Sequence, residues 1–166
     1  NVRTKAMARL GLDYASLSAA HPDLIYLSIS GFGEVGPMAD RAAYDHILQC
    51  YTGMAALQAD DGSGPGAPRF VRNIVVDKVT GLTAAQAITA ALFARATGGR
   101  GQEVKLSMLA AAIAFVWSDA AVRQHLVGEG GDVKPAMAEF CRLYRFRNGY
   151  ATFNPTGPFA LKVDGE

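Results

Sequence analysis

The 166-residue chain has only two cysteines, Cys50 and Cys141, far apart and in neither a C-x-x-C nor a Cys/His spacing. That spacing argues against a disulfide framework and a zinc motif, and it predicts buried free thiols in a reducing, cytoplasmic setting. Histidine is scarce too. His21, His46 and His125 are scattered, none has a second ligand at metal spacing, and no metal site is expected. Charge of one sign is missing: 16 Lys and Arg against 15 Asp and Glu leave +1. That balance gives no electrostatic case for nucleic acid or an anionic membrane. The longest apolar run, Met108 to Trp117, is too short to span a bilayer and reads as a buried helix segment. Asn1-Val2-Arg3-Thr4-Lys5 has no apolar core behind it and is not a signal peptide. No internal repeat is evident. The chain opens without Met and carries no recognisable stop signal, so it reads as a piece of a longer polypeptide.

Half of the residues are hydrophobic, and a chain this long buries about 70% of the surface its unfolded form exposes. It should fold. Helices are expected at Thr4–Leu10, closed by Gly11, and at Asp13–Ala20, stopped by His21-Pro22. Leu24–Ser30 is apolar and β-prone, as for a strand buried on both faces of a parallel sheet. A glycine loop, Gly31 to Pro37, leads to a helix from Tyr44 to Leu57 with Ile47, Leu48, Tyr51, Met54 and Ala55 on one stripe. After a loop at 60–68, Asn73-Ile74-Val75-Val76 reads as a short strand and Lys78–Thr97 as an alanine-rich helix ended by Gly98-Gly99. Glu103–Leu106 is a further strand, and Ser107–Val127 a second apolar helix. The polar stretch 128–142 reads as a linker. Beyond it, Leu143–Arg147 and Tyr150–Phe153 form a hairpin around an Asn148-Gly149 type I′ turn. Strands alternating with helices predict an α/β layered fold, with ligands at the C-terminal edge of the strands. Residues 1–127 would be part of a large domain and 143–166 the start of a small one.

Asp77 stands where strand gives way to helix, facing unpaired amides in the positive field of a helix N-terminus, an environment that favours a carboxylate. A helix cap and a nucleophile both fit that position. Gly31-Phe32-Gly33-Glu34-Val35-Gly36 matches G-x-G-x-x-G, but Pro37 follows it and no helix opens there, so a dinucleotide site is disfavoured. Gly31 and Gly33 still offer amides and room for a ligand. Arg3, Lys5 and Arg9 form a basic group that suits either a solvated helix face or a nucleotide phosphate.

Ser28-Ile29-Ser30-Gly31-Phe32-Gly33-Glu34-Val35-Gly36-Pro37 followed by Asp40-Arg41-Ala42-Ala43-Tyr44-Asp45 resembles the class III CoA-transferases, the family of formyl-CoA:oxalate and carnitine CoA-transferases. Asp77 at the head of its helix, then Thr97-Gly98-Gly99-Arg100-Gly101-Gln102-Glu103-Val104, is similar to the family's central signature. The resemblance implies part of a Rossmann-like parallel-sheet large domain, with the start of a small α+β domain after the linker. It implies that Asp77 is the catalytic aspartate, passing through an acyl–aspartyl anhydride and an aspartyl-CoA thioester. It also implies CoA contacts at Asn1, Val2 and Arg9, and a tyrosine of the acyl or carboxylate site at Tyr44. The substrates would be an acyl-CoA and a small carboxylic acid, and the assembly an interlocked homodimer. Each step forms an oxyanion, for which the helix N-terminus and the glycine loops are the expected donors. Two positions depart from the family pattern: Thr4-Lys5 replaces the usual Pro-Gly, and Leu109-Ala110-Ala111 lacks a common acid. The related α-methylacyl-CoA racemases carry histidine where this chain has Tyr44. His46, two residues on, is expected to point away from that face. A non-catalytic assembly piece is the remaining alternative, because isolated alanine-rich helices would expose apolar faces.

Overall fold

The computed structural model describes residues 2, 4–39, 41–59, 66–124 and 144–151. The elements run α1 (Thr4–Arg9), α2 (Tyr14–Ala20), β1 (Ile25–Ser30), α3 (Asp45–Tyr51), α4 (Met54–Leu57), α5 (Val75–Ala96), β2 (Gln102–Ser107), α6 (Met108–Gln124), β3 (Tyr144–Phe146) and β4 (Gly149–Ala151). The chain divides into two compact units, Asn1–Thr52 with Arg72–Phe115 and Gly53–Val71 with Val116–Glu166. The linker expected at 128–142 and the end of the hairpin, Thr152 and Phe153, lie outside the described residues.

In the first unit the chain is mixed α/β around a parallel pair. β1 and β2 align Ile25 with Gln102 through to Ser30 with Ser107, so both strands end side by side. The sheet is less enclosed than the apolar run implies. Most β1 residues are half-buried and Ile29 is exposed, so burial of β1 on both faces is not what the fold shows. Helix α5 packs against both strands. Its buried positions are Val76, Thr80, Ala84 and Ala91, a stripe of small side chains that allows close approach. Threonines within the helix place their hydroxyls on carbonyls one turn back, as Thr80 Oγ1 does on Val76 at 2.7 Å. The helix closes in a Schellman motif: Gly98, at φ 102°, donates to the Arg95 carbonyl, and Gly99 donates to Ala94. Gly11, at φ 67°, ends α1 in the same way, with Leu12 donating to Met7.

The direction of α5 decides where its N-terminus lies. Near its C-terminal end, Arg95 Nη1 donates to the Asp23 carbonyl at 2.8 Å, just before β1, and the Gly101 amide reaches the Pro22 carbonyl. The helix therefore runs antiparallel to the strands, and its first turn lies toward their C-terminal edge.

Four local expectations are corrected. Asn73–Val76 is not a strand. Helix α5 begins at Val75, so Asp77 occupies the third position of the helix rather than a strand end. β-branched side chains at 74–76 favour extended backbone only weakly, and tertiary hydrogen bonds to the helix start override that preference. The helix from Tyr44 breaks after Tyr51: Gly53 takes a left-handed φ of 76° between α3 and α4. In the second unit the hairpin pairs Phe146 with Gly149. Its connecting residues are thus Arg147 and Asn148, and neither has a positive φ. A type I′ turn, which requires positive φ at both positions, is excluded. Cys50, expected to be buried, is exposed, and Cys141 lies outside the described residues.

Candidate functional site

Three segments of the first unit converge at the C-terminal edge of β1 and β2. The glycine loop leaves β1 at Gly31, whose carbonyl accepts from the Leu109 amide at 3.0 Å and from Ser107 Oγ at 3.4 Å. That fastens the loop to the start of α6. Gly31 also packs on Ala43 so closely that a Cβ at position 31 would overlap Ala43 Cβ. Gly33 and Gly36 hold positive φ values of 93° and 97°, conformations that glycine adopts without strain. Glu34 in this loop binds Lys105 Nζ of β2 at 2.6 Å. That hydrogen bond first, with the charges of Glu34 and Glu103 behind it, holds the Lys105 ammonium above its usual range.

From Ala43 the chain passes directly to Tyr44 and Asp45. Tyr44 is the extended N-cap of α3 (φ −133°, ψ 154°), its side chain caps nothing, and it is 61% exposed. Its ring lies 6.0 Å from that of His46, nearly parallel at 8°. The expectation that His46 points away from Tyr44 is therefore corrected. Tyr44 precedes the helix, and its extended backbone lets its ring turn alongside the first turn.

Asp45 was not singled out by its local sequence, yet it joins the two halves of the site. It is buried at 8% exposure. Gln49 Nε2 donates to its Oδ1 at 2.6 Å, and the amides of Val76 and Asp77 donate to its Oδ2 at 2.8 and 3.1 Å. Gln49 Nε2 also donates to the Asn73 carbonyl at 3.2 Å, which fixes that amide with its donor toward Asp45. An α-helix begins with four amides lacking helical partners. Here a carboxylate 31 residues upstream takes two of them. The Val75 amide turns back to the Asn73 carbonyl and the Lys78 amide bonds the Ile74 carbonyl. The Lys78 bond is the first helical one, so of the four orphan amides, Ile74 to Asp77, three are occupied: Val75 by Asn73, and Val76 and Asp77 by Asp45. This helix end thus offers an oxyanion fewer amides than a bare helix start would, and the glycine loop is the other expected source.

Asp77 follows from this arrangement. Its amide is held by Asp45, its residue is exposed, and its carboxylate accepts no hydrogen bond from the described residues. A plain cap would instead turn its oxygens onto the amides of its own helix. The neighbouring cation, Lys78, is turned to Asn73 Oδ1 at 2.6 Å. Tyr44, the glycine loop and Asp77 are therefore linked through Ala43 and Asp45 at one edge of the sheet. Val2 and Arg9 are exposed around α1. Just beyond α1, Tyr26 Oη of β1 donates to the Leu12 carbonyl at 2.9 Å and the Tyr26 ring pairs with that of Tyr14. Asn1 lies outside the described residues. Among the described residues no three His, Cys, Asp or Glu side chains gather as metal ligands, and no helix is long and apolar enough to cross a membrane.

A signal for Asp45 was present but weak. Asp and Gln four apart on a helix are a known favourable pair, whereas nothing local indicates acceptors for amides 31 residues away.

Comparison with known proteins places these residues in context. The chain is similar to succinate–glutarate CoA-transferase of Agrobacterium fabrum, 40% identical over 109 residues that make up 66% of this chain and 26% of that protein. It is similar to acetyl-CoA:oxalate CoA-transferase of Acetobacter aceti, 37% identical over 117 residues, 70% of this chain and 29% of that protein. Among solved structures, a CAIB/BAIF family protein from Brucella suis matches with a TM-score of 0.72 at 29% identity, covering 90% of this chain and 39% of that one. The chain thus spans less than a third of the length of these two enzymes. The model of CoA-transferase family III matches residues 1–161, and the chain belongs to that family.

Proposed function

We propose that the protein transfers CoA between an acyl-CoA and a small carboxylic acid, with Asp77 as the nucleophile. The observation that carries this reading is the Asp77 carboxylate, exposed and accepting no hydrogen bond from the described residues, at the head of a helix whose Val75, Val76 and Asp77 amides are already taken. Such a group is available to attack. Its Oδ adds to the thioester carbonyl and the CoA thiolate leaves, giving an acyl–aspartyl anhydride. The thiolate then attacks the aspartyl carbonyl, which expels the donor acid and leaves an aspartyl-CoA thioester. The acceptor carboxylate attacks that thioester and releases the thiolate again. The thiolate takes the acceptor's acyl group and frees Asp77. Each addition places negative charge on an oxygen. With the amides of Val75, Val76 and Asp77 occupied, the Gly31–Gly36 loop is the source of donors we favour within this chain.

Tyr44, exposed beside this carboxylate's helix, suits contact with the acyl or carboxylate group, with Gly31 and Gly33 giving the close backbone approach. Asn1, Val2 and Arg9 are assigned to CoA, Arg9 to its phosphates. We read the first unit as part of a Rossmann-like large domain, residues 143–166 as the start of a small domain, and the whole protein as a cytoplasmic, interlocked homodimer.

A second reading, racemisation of a 2-methylacyl-CoA, gains some support from the His46 ring beside Tyr44, since imidazole is an efficient acid–base group near neutral pH. The two readings differ in their isotope signature. With full-length protein, transfer predicts that labelled CoA enters the acceptor's thioester only when acceptor acid is present, with no solvent deuterium reaching the donor's α-carbon. Deuterium entering the α-carbon without any acceptor acid would refute transfer and favour racemisation.

A further inference from the structure

The geometry points to Asp45 as a positioning residue for Asp77, an inference that rests on the transfer reading above. A carboxylate that attacks once and then takes part in each of the three following steps must hold the same place throughout, and misplacement by about 1 Å can cost on the order of a hundredfold in rate. Asp77 sits within the first turn of a helix, where backbone groups lack helical partners and ends fray. Asp45 removes that freedom. Its Oδ2 accepts from the amide of Asp77 itself and from that of Val76, so the clamp acts on the nucleophile's own peptide unit. Gln49 in turn holds Oδ1. Because Gln49 Nε2 also serves the Asn73 carbonyl, it also ties the chain entering α5 to the same unit. Every group facing the Asp45 carboxylate is a donor, so a carboxylate fits and an amide does not.

The clamp has a second consequence. A first-turn acid ordinarily finds partners among the free amides of its own helix end. Here the amides of Val75, Val76 and Asp77 are occupied, so these three do not draw the Asp77 carboxylate away from a substrate carbonyl. Asp45 also follows Tyr44 in sequence, and Ala43 on the other side packs on Gly31. The residue that fixes the nucleophile is therefore in the segment that carries the tyrosine and supports the glycine loop.

The test uses full-length protein with Asp45→Asn, Gln49→Met, Thr80→Val and Asp77→Ala, measuring acid-dependent CoA transfer, thermal stability and amide hydrogen exchange. Asp45→Asn places an NH2 against at least one donor while keeping the side-chain volume. Its kcat per folded enzyme is expected to fall about 10- to 100-fold, with the KM for acyl-CoA nearly unchanged and faster exchange at the Val76 and Asp77 amides. Gln49→Met, which leaves Asp45 on the two amides alone, should give a smaller loss of the same kind and keeps the test open if Asp45→Asn folds poorly. Thr80→Val removes the bond to the Val76 carbonyl one turn on. It loosens the same helix end without touching Asp45, and its kcat per folded enzyme should stay parental. Transfer lost in Asp77→Ala but parental in both Asp45→Asn and Gln49→Met overturns this inference alone. A kcat loss in Thr80→Val equal to that in Asp45→Asn also overturns it, because general loosening would then explain both. Transfer that survives Asp77→Ala overturns the transfer reading and this inference with it.

Discussion

Replacing Asp77 with alanine is expected to lower CoA transfer by at least about 10³-fold, which corresponds to roughly 4 kcal/mol of transition-state stabilisation. The fold should barely respond. An acid in the first turn of a helix contributes about 0.3–1 kcal/mol through the helix dipole, toward the lower end when exposed and screened by salt. Asp77 is exposed, and its carboxylate caps none of the amides of α5, since those at 76 and 77 belong to Asp45. The side chain can therefore be removed without leaving a buried group unpaired. Steady-state kinetics beside thermal denaturation of the same preparation separates the two effects. A large loss of turnover with a nearly parental melting temperature is the expected pair. Matched losses of both would make Asp77 a structural cap.

The second large effect is expected at Gly31. Valine there places a Cβ onto Ala43 Cβ, and crowding of this kind in a packed region costs about 1–3 kcal/mol. Gly31 cannot retreat easily, because its carbonyl is held by Leu109 and Ser107 on the other side. The strain is expected to fall on the Ala43–Asp45 segment, and so on Tyr44 and the Asp45 clamp. Gly31→Val should therefore lower stability and also lower kcat per folded enzyme. Adding Ala43→Gly, which removes the opposing methyl, should recover part of both losses. A double-mutant cycle gives the coupling directly, and additive effects would show that the two positions do not share this contact.

Much of this site was legible in the sequence because its parts obey local rules. The glycines that end α1 and α5 adopt the left-handed caps their positions suggest. β1 and β2 fall within a residue of their expected limits and pair in parallel. The glycine loop leaves β1 where an α/β fold carries its ligand sites. The misreadings have a common origin in long-range contacts. Ile74-Val75-Val76 reads as strand because β-branched residues favour it, yet the Asp45 carboxylate starts a helix there from 31 residues away. The same bonds narrow the expected role of the helix end: the amides of Val76 and Asp77, which look available as oxyanion donors, are occupied. The Tyr44–His46 stack depends on Tyr44 being an extended N-cap rather than a helical residue, a boundary that periodicity does not resolve to one residue. Likewise the exposure of Cys50 follows from which face of α3 meets α5, and the thiol alone carries no signal of it.

The central claim is that Asp77 carries the transferred group covalently, and chemical capture during turnover tests it most directly. Full-length protein is mixed with acyl-CoA and hydroxylamine, which cleaves an aspartyl thioester to an aspartyl hydroxamate and free CoA, and the digested protein is read by mass spectrometry. The account predicts a hydroxamate on Asp77 that forms only with acyl-CoA present and is absent from Asp77→Ala. Hydroxamate on a different carboxylate, or none at all while turnover proceeds, would contradict it.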